Sequence, residues 1–200
     1  MKIRLAVPTA VAVLGLALAG CSSESSMPGM DMGSGSSSST GQAQAGVVFN
    51  DADVAFAQMM YPHHAQAVEM ADLVQGRTQN QAVIDLATEI SGAQGPEMTQ
   101  MTELLASFGQ PAPSADMAGM GGMAMNGMMT PEDMAALAAA SGAEFDQRWL
   151  TMMVAHHTGA IEMANAELAD GSNPDAKQLA TDIVAAQQAE IETMNDLLQG

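Results

Sequence analysis

Cysteine occurs once in this chain, at Cys21, so no disulfide within the chain can staple the fold. Aromatic residues are scarce: one Trp, one Tyr and four Phe in 200 residues. Basic residues are scarcer still, five against 23 acidic ones. Two of the five, Lys2 and Arg4, precede an N-terminal apolar segment, which leaves Arg77, Arg148 and Lys177 for the rest. A chain so acidic is a poor partner for nucleic acid or anionic lipid head groups and a good one for cations. The same charge also serves solubility. Methionine, by contrast, is abundant at 20 residues. Some can fill a core. Met27, Met30, Met32, Met117, Met120, Met123, Met125, Met128 and Met129 cannot, because they lie in or beside stretches rich in Gly, Ser and Ala with no apolar period.

Residues 1–20 read as a lipoprotein signal peptide. Lys2 and Arg4 supply the positive start, and Ala6–Ala19 is an apolar run too short for a comfortable membrane span. Leu18-Ala19-Gly20-Cys21 looks like a bacterial lipobox, which makes Cys21 the lipidation site and the mature protein free of thiol. Residues 21–49 form a Ser/Gly/Met tether expected to be disordered. Residues 50–108 read as a helical hairpin: Asn50 and Asn80 cap two helices, and Gly76 ends the first. Residues 109–129 are a Met/Gly-rich linker. Residues 130–200 read as a short helix opened by Thr130-Pro131-Glu132-Asp133, followed by a second hairpin whose last helix starts at Asn173-Pro174.

The two hairpins repeat each other. Met59–Met70 (MMYPHHAQAVEM) returns 93 residues later as Met152–Met163 (MMVAHHTGAIEM), and 19 of 47 aligned positions from 59 to 105 are identical. One unit carried twice, with a short turn in each copy, predicts an all-α fold: a four-helix bundle, ferritin-like, built from two duplicated helical hairpins. The copies differ where Pro62 faces Ala155 and Pro96 faces Ala189. Proline inside a helix removes a backbone hydrogen bond, so the two copies are expected to differ in openness or affinity.

All four histidines of the chain lie in the two HH pairs. On a wheel of about 100° per residue, with Met59 at zero, Met70 falls near 20° and His63 near 40°. Met60 and His64 form a parallel pair about 100° further round. Met152, His156 and Met163, then Met153 and His157, repeat the pattern. On the partner helices Gln94, Glu97 and Met101 share one face, as do Gln187, Glu190 and Met194. Each hairpin can therefore aim thioether and imidazole at carboxamide, carboxylate and thioether. Thioether selects Cu(I) and, by extension, Ag(I); imidazole serves Cu(I) and Cu(II); carboxylate suits the oxidised ion. Zinc has little use for so many methionines. The Glu-x-x-His signature of a di-iron bundle is missing. A methionine stripe can also be plain core, and a buried histidine can be hydrogen-bonded and nothing more. His63 and His156 are favoured as ligands, with His64 and His157 orienting them. Binding is expected to weaken below about pH 6 as imidazoles protonate.

The segments MMxPHHxxAxxMA and AxxIxxAQxxEIxxM resemble the domain-of-unknown-function 305 family. The resemblance covers about residues 50–108 and 144–200. It implies an exported, helical, ferritin-like protein, and some members of that family bind copper in the periplasm. By that likeness Met59, Met60, His63, His64, Met70, Met152, Met153, His156, His157 and Met163 become metal ligands. Glu97, Met101, Glu190 and Met194 join them from their place on the facing helices. The leading expectation is an envelope lipoprotein, anchored only through its lipid, that buffers copper or hands it to a partner protein. A metal-dependent oxidase and a metal-free structural module of the envelope are the alternatives.

Overall fold

The structure is a computed structural model in which residues 46–115 and 126–200 are described. The expected signal peptide, Cys21 and most of the tether lie outside the described residues, as do Met117, Met120, Met123 and Met125. The described residues form helices α1 (Asp51–Asp72), α2 (Gln81–Ser107), α3 (Pro131–Ala139), α4 (Gly142–Asp170) and α5 (Pro174–Gln199), with no strand among them. The fold is an all-α bundle. The long helices α1 and α2 pair, as do α4 and α5, and the two hairpins meet through α1 on α4 and α2 on α5. The short α3 leans on α4. No described helix is long and apolar enough to cross a membrane.

Polar residues start the helices where the sequence placed them. The Asn50 side chain accepts from the Ala52 and Asp53 amides, and Asp53 accepts from the Asn50 amide at 2.6 Å, a reciprocal cap on α1. Thr130 and Asp133 form the same box on α3. Asn173 accepts from the Asp175 and Ala176 amides to open α5, with Pro174 in the first turn. Pro62 and Pro96 lie inside α1 and α2, and both helices continue past them.

Each hairpin docks its turn against the start of the other. Asp53, fully buried, accepts from the Ser172 amide at 3.0 Å and the Asn173 amide at 2.8 Å in the α4–α5 turn. The Asn50 side chain donates to the Asp170 carbonyl there. At the other end Gly142 donates to the Arg77 carbonyl at 2.7 Å, and the Arg77 guanidinium donates to the Ala138 carbonyl. The Trp149 indole donates to the Met70 carbonyl at 2.9 Å, one of the end carbonyls of α1 that no intrahelical amide reaches.

Two apolar clusters hold the bundle. One gathers Met70, Val83, Leu86, Ile90, Trp149, Met153 and Met194 with their neighbours. The other gathers Phe56, Met60, Met101, Leu105, Leu179 and Ile183. Burying a side chain of this kind stabilises by about 1.5–3 kcal/mol. Positions 93 apart fall in opposite clusters: Met60 and Met153, Met101 and Met194, Ile90 and Ile183. The residues between the clusters are polar, and they form the site.

Candidate metal centre

The four histidines form two adjacent pairs near the middle of α1 and α4, the two helices in contact across the hairpins. All four are fully buried. The His63 and His156 rings lie 3.8 Å apart between centroids, tilted by 41°. His156 and His157 are 6.3 Å apart. The helical wheel gives each hairpin its own site. The fold instead brings the histidines of both hairpins into one layer.

Hydrogen bonds fix which ring nitrogen carries the proton. The His64 Nε2–H donates to Glu97 Oε2 at 2.8 Å, and the His157 Nε2–H donates to Glu190 Oε2 at 2.7 Å. His63 Nε2 lies 3.3 Å from the Asn126 carbonyl oxygen, which can only accept, so it too carries hydrogen. In the neutral form of these three rings Nδ1 therefore holds the lone pair, and each Nδ1 is buried without a partner, as are both nitrogens of His156. The side-chain amides of Gln94 and Gln187, about one helical turn before Glu97 and Glu190 on the same helix face, are buried and unpaired at both ends. Burial pushes the His63 imidazole down to about 3, reinforced by the nearby His64 charge. Burial, then His63, holds His156 well below the ordinary histidine range. These two rings are therefore neutral well below the pH of about 6 at which the sequence predicts protonation.

An unpaired polar atom buried away from water costs about 1–3 kcal/mol, and nine such nitrogen and oxygen atoms call for a common partner. The donor set fits a soft ion. Met60 precedes His64 by four residues, and Met153 precedes His157 likewise, so each thioether neighbours an imidazole on one helix face. Met101 and Met194 stand in the same relation to Glu97 and Glu190. All four of these methionines are fully buried. Among the described residues no three His, Cys, Asp or Glu side chains are grouped to hold an ion by themselves. A centre in this layer would thus need sulfur to complete it.

The expected ligands divide by burial. Met60, His63, His64, Met70, Met101, Met153, His156, His157, Glu190 and Met194 are buried; Met59, Met152, Met163 and Glu97 are partly exposed. Met70 packs in one apolar cluster and Met163 flanks the other. Sequence spacing placed Met59 and Met70 beside His63. In the fold, the Met60–His64 and Met153–His157 pairs are the ones sealed inside. Both stripes face protein because α1 touches α2 on one side and α4 on the other.

A further part of the site has no counterpart in the sequence reading. Residues Asn126–Met129 run as a strap across α1 and α4. Gln66 holds the Met129 backbone twice, donating to its carbonyl at 2.9 Å and accepting from its amide at 2.7 Å. The Asn126 side chain donates to Glu162 Oε2 at 2.8 Å. Gly127, at φ +84°, lies so close that a Cβ there would stand 2.7 Å from the Ala155 carbonyl oxygen. A Cβ at Gly159 would collide with the Asn126 carbonyl. The available signals were the Asn-Gly pair and the contrast of Gln66 with Gly159, which lie 93 residues apart in the sequence.

Residues 53–198 match the family model described as Domain of unknown function (DUF305). The chain belongs to the DUF305 family. Among solved structures, a DUF305 protein of Streptomyces coelicolor whose name places it in the secreted class is 36% identical. That alignment covers 74% of this chain and 92% of that one, with a TM-score of 0.67. CopM in its Cu(II)-bound form is 30% identical over 74% of this chain and 95% of its own, with a TM-score of 0.64. CopM has also been solved in Cu(I)-bound and silver-bound forms, each 28% identical to this chain. An uncharacterized mimivirus protein, L153 of Acanthamoeba polyphaga mimivirus, is 43% identical over 53 residues, which span 26% of this chain and 35% of that relative. The DUF305 match spans α1 through nearly all of α5, so the histidine layer lies wholly inside the family domain.

Proposed function

We propose that this DUF305 protein is an exported copper-binding protein that buffers or sequesters Cu(I) and Cu(II), or hands them to a partner protein. The carrying observation is the single buried layer in which every histidine Nδ1 lacks a partner beside sealed thioethers. Likeness to CopM, solved with copper and silver, supports the choice of ion. Glu97 and Glu190 accept from His64 and His157 and so orient those rings, raising their basicity as ligands. This removes the division of roles that the wheel gave the two histidines of each pair: all four become ligand candidates, through Nδ1. Met59, Met152 and Met163, partly exposed, would serve as outer thioethers along the way in. The repeat at an offset of 93 residues supports reading the family domain as a helical unit carried twice. The N-terminal segment supports anchoring through lipid on Cys21. The role is binding, not turnover; oxygen consumption with Cu(I) or Fe(II) would instead mark an oxidase.

The test is titration of apo protein with Cu(I) against a competing chelator. Affinity tighter than about micromolar is expected, about −8 kcal/mol or better. His157→Ala should weaken it by at least tenfold, roughly 1.4 kcal/mol. Binding no tighter than millimolar, or unchanged in His157→Ala and Met153→Ala alike, refutes the reading.

A further inference from the structure

The histidine layer is sealed, yet an ion has to reach it. The helices that wall it are pinned by apolar clusters on both sides, and parting them would expose both. The strap Asn126–Met129 is held differently. Met129 at its end rests against one apolar cluster, and its other contacts are polar: Gln66 donates one hydrogen bond to the strap and accepts another, the Asn126 side chain donates to Glu162, and His63 donates to the Asn126 carbonyl. Each is worth about 0.5–1.5 kcal/mol net, because water replaces it when the strap lifts. Its seat is built for close approach. Gly127 takes a left-handed conformation over the Ala155 and His156 carbonyls, and Gly159 leaves room for the Asn126 carbonyl. Two positions 93 residues apart in the sequence are used unequally: Gln66 grips the strap where Gly159 makes way for it. Only one hairpin's histidine is bonded by the strap, since His156 has no partner at either nitrogen.

We propose that Asn126–Met129 is a latch on the histidine layer. Through the Asn126 carbonyl it keeps hydrogen on His63 Nε2 and so presents Nδ1 to the ion, and it lifts to let the ion pass. Gln66 and Gly159 are its positioning residues. The passage of ions rests on the copper reading; the tautomer does not.

Two measurements on the full chain test this. The first needs no metal: nitrogen-15 imidazole spectra of the apo protein. Wild type should show His63 with protonated Nε2 and bare Nδ1. Gly159→Ala, whose methyl displaces the strap, and Gln66→Ala, which frees it, should both shift His63 toward averaged nitrogens. The second is stopped-flow uptake and chelator-driven release of Ag(I), a redox-inert stand-in for Cu(I). Both rates should rise on the order of tenfold in each variant, as expected from losing one to two net hydrogen bonds, with helicity unchanged. An unchanged His63 tautomer in both variants overturns the latch, and so do Ag(I) rates within twofold of wild type. A wild-type protein that takes up neither Ag(I) nor Cu(I) sinks the copper reading, and the tautomer shift alone then decides whether the strap positions His63. If a variant loses helicity, Asn126→Ala, which removes only the side-chain bond to Glu162, takes its place.

Discussion

Glu167 lies near the end of α4 with 1% of its surface exposed, against the carboxylate of Asp53. Burial first, then the neighbouring Asp53 carboxylate, push its carboxyl up to about 8, against an opposing pull from Lys177. Asp53 is held below its ordinary range by the backbone amides of Asn173, Asn50 and Ser172 and by Glu167, which together outweigh its own burial. At neutral pH, then, Glu167 keeps its proton and Asp53 does not. The sign follows from linkage. A carboxyl raised from 4.5 to about 8 holds a proton in the native state that the unfolded chain has lost, so its contribution is full below 4.5 and disappears as pH rises through 8. Urea midpoints should fall between pH 6 and pH 9 in the wild type. Glu167→Gln keeps a hydrogen donor for Asp53 and cannot ionise, so its midpoint should stay level over that range. Parallel slopes in the two proteins would show that the proton is not held there. The residue scale was partly legible in the sequence. Histidine, methionine and glutamate declared themselves by type and repetition. The Glu167–Asp53 contact did not, because it joins residues far apart in the chain with no motif at either.

The helices themselves were largely legible. Asn50, Asn80, Thr130 and Asn173 cap where polar residues precede periodic apolar ones, since capping is a local matter of one side chain and the next few amides. What crosses between elements was not legible. The wheel orders residues around one helix and says nothing of the distance to another, so it gave each hairpin a private site where His63 and His156 in fact touch. The strap was invisible for a related reason: its segment has no apolar period, and its partners Gln66, Gly159 and Glu162 belong to other elements. At this scale the clasp between α1 and the α4–α5 turn should be strong. Asp53 serves three amides, those of Asn50, Ser172 and Asn173. Asp53→Ala strands them in a buried place and removes half of the α1 cap. The expected loss is about 2–4 kcal/mol, from a cap worth about 1 and stranded donors worth about 1–3. Chemical denaturation at pH 7 would check it; a loss under half a kcal/mol, the usual scatter for surface substitutions, would mean that the turn is held elsewhere.

For the whole molecule, the decisive feature is that the polar layer belongs to neither hairpin alone. Each hairpin contributes two histidines and one Glu to it. On the copper reading, an ion bound there would bridge the two halves and would bind only the assembled bundle. By mass action it would then stabilise the folded state alone, by about 2.7 kcal/mol when free ion is a hundred times the dissociation constant. For a domain of this size that corresponds to a rise in Tm of about 5–11 °C. Two separate sites, one per hairpin, would divide such a rise. A shared layer would not. Replacing His63 or His156 singly therefore discriminates between them. If the layer is shared, each of His63→Ala and His156→Ala should lose most of the Ag(I)-induced shift, and the double variant should lose little more. With independent sites each single variant would keep about half, and the losses would add. Comparing each variant with and without Ag(I) removes the effect of the substitution on the apo protein, so the shift reports on whether the two hairpins hold one ion between them.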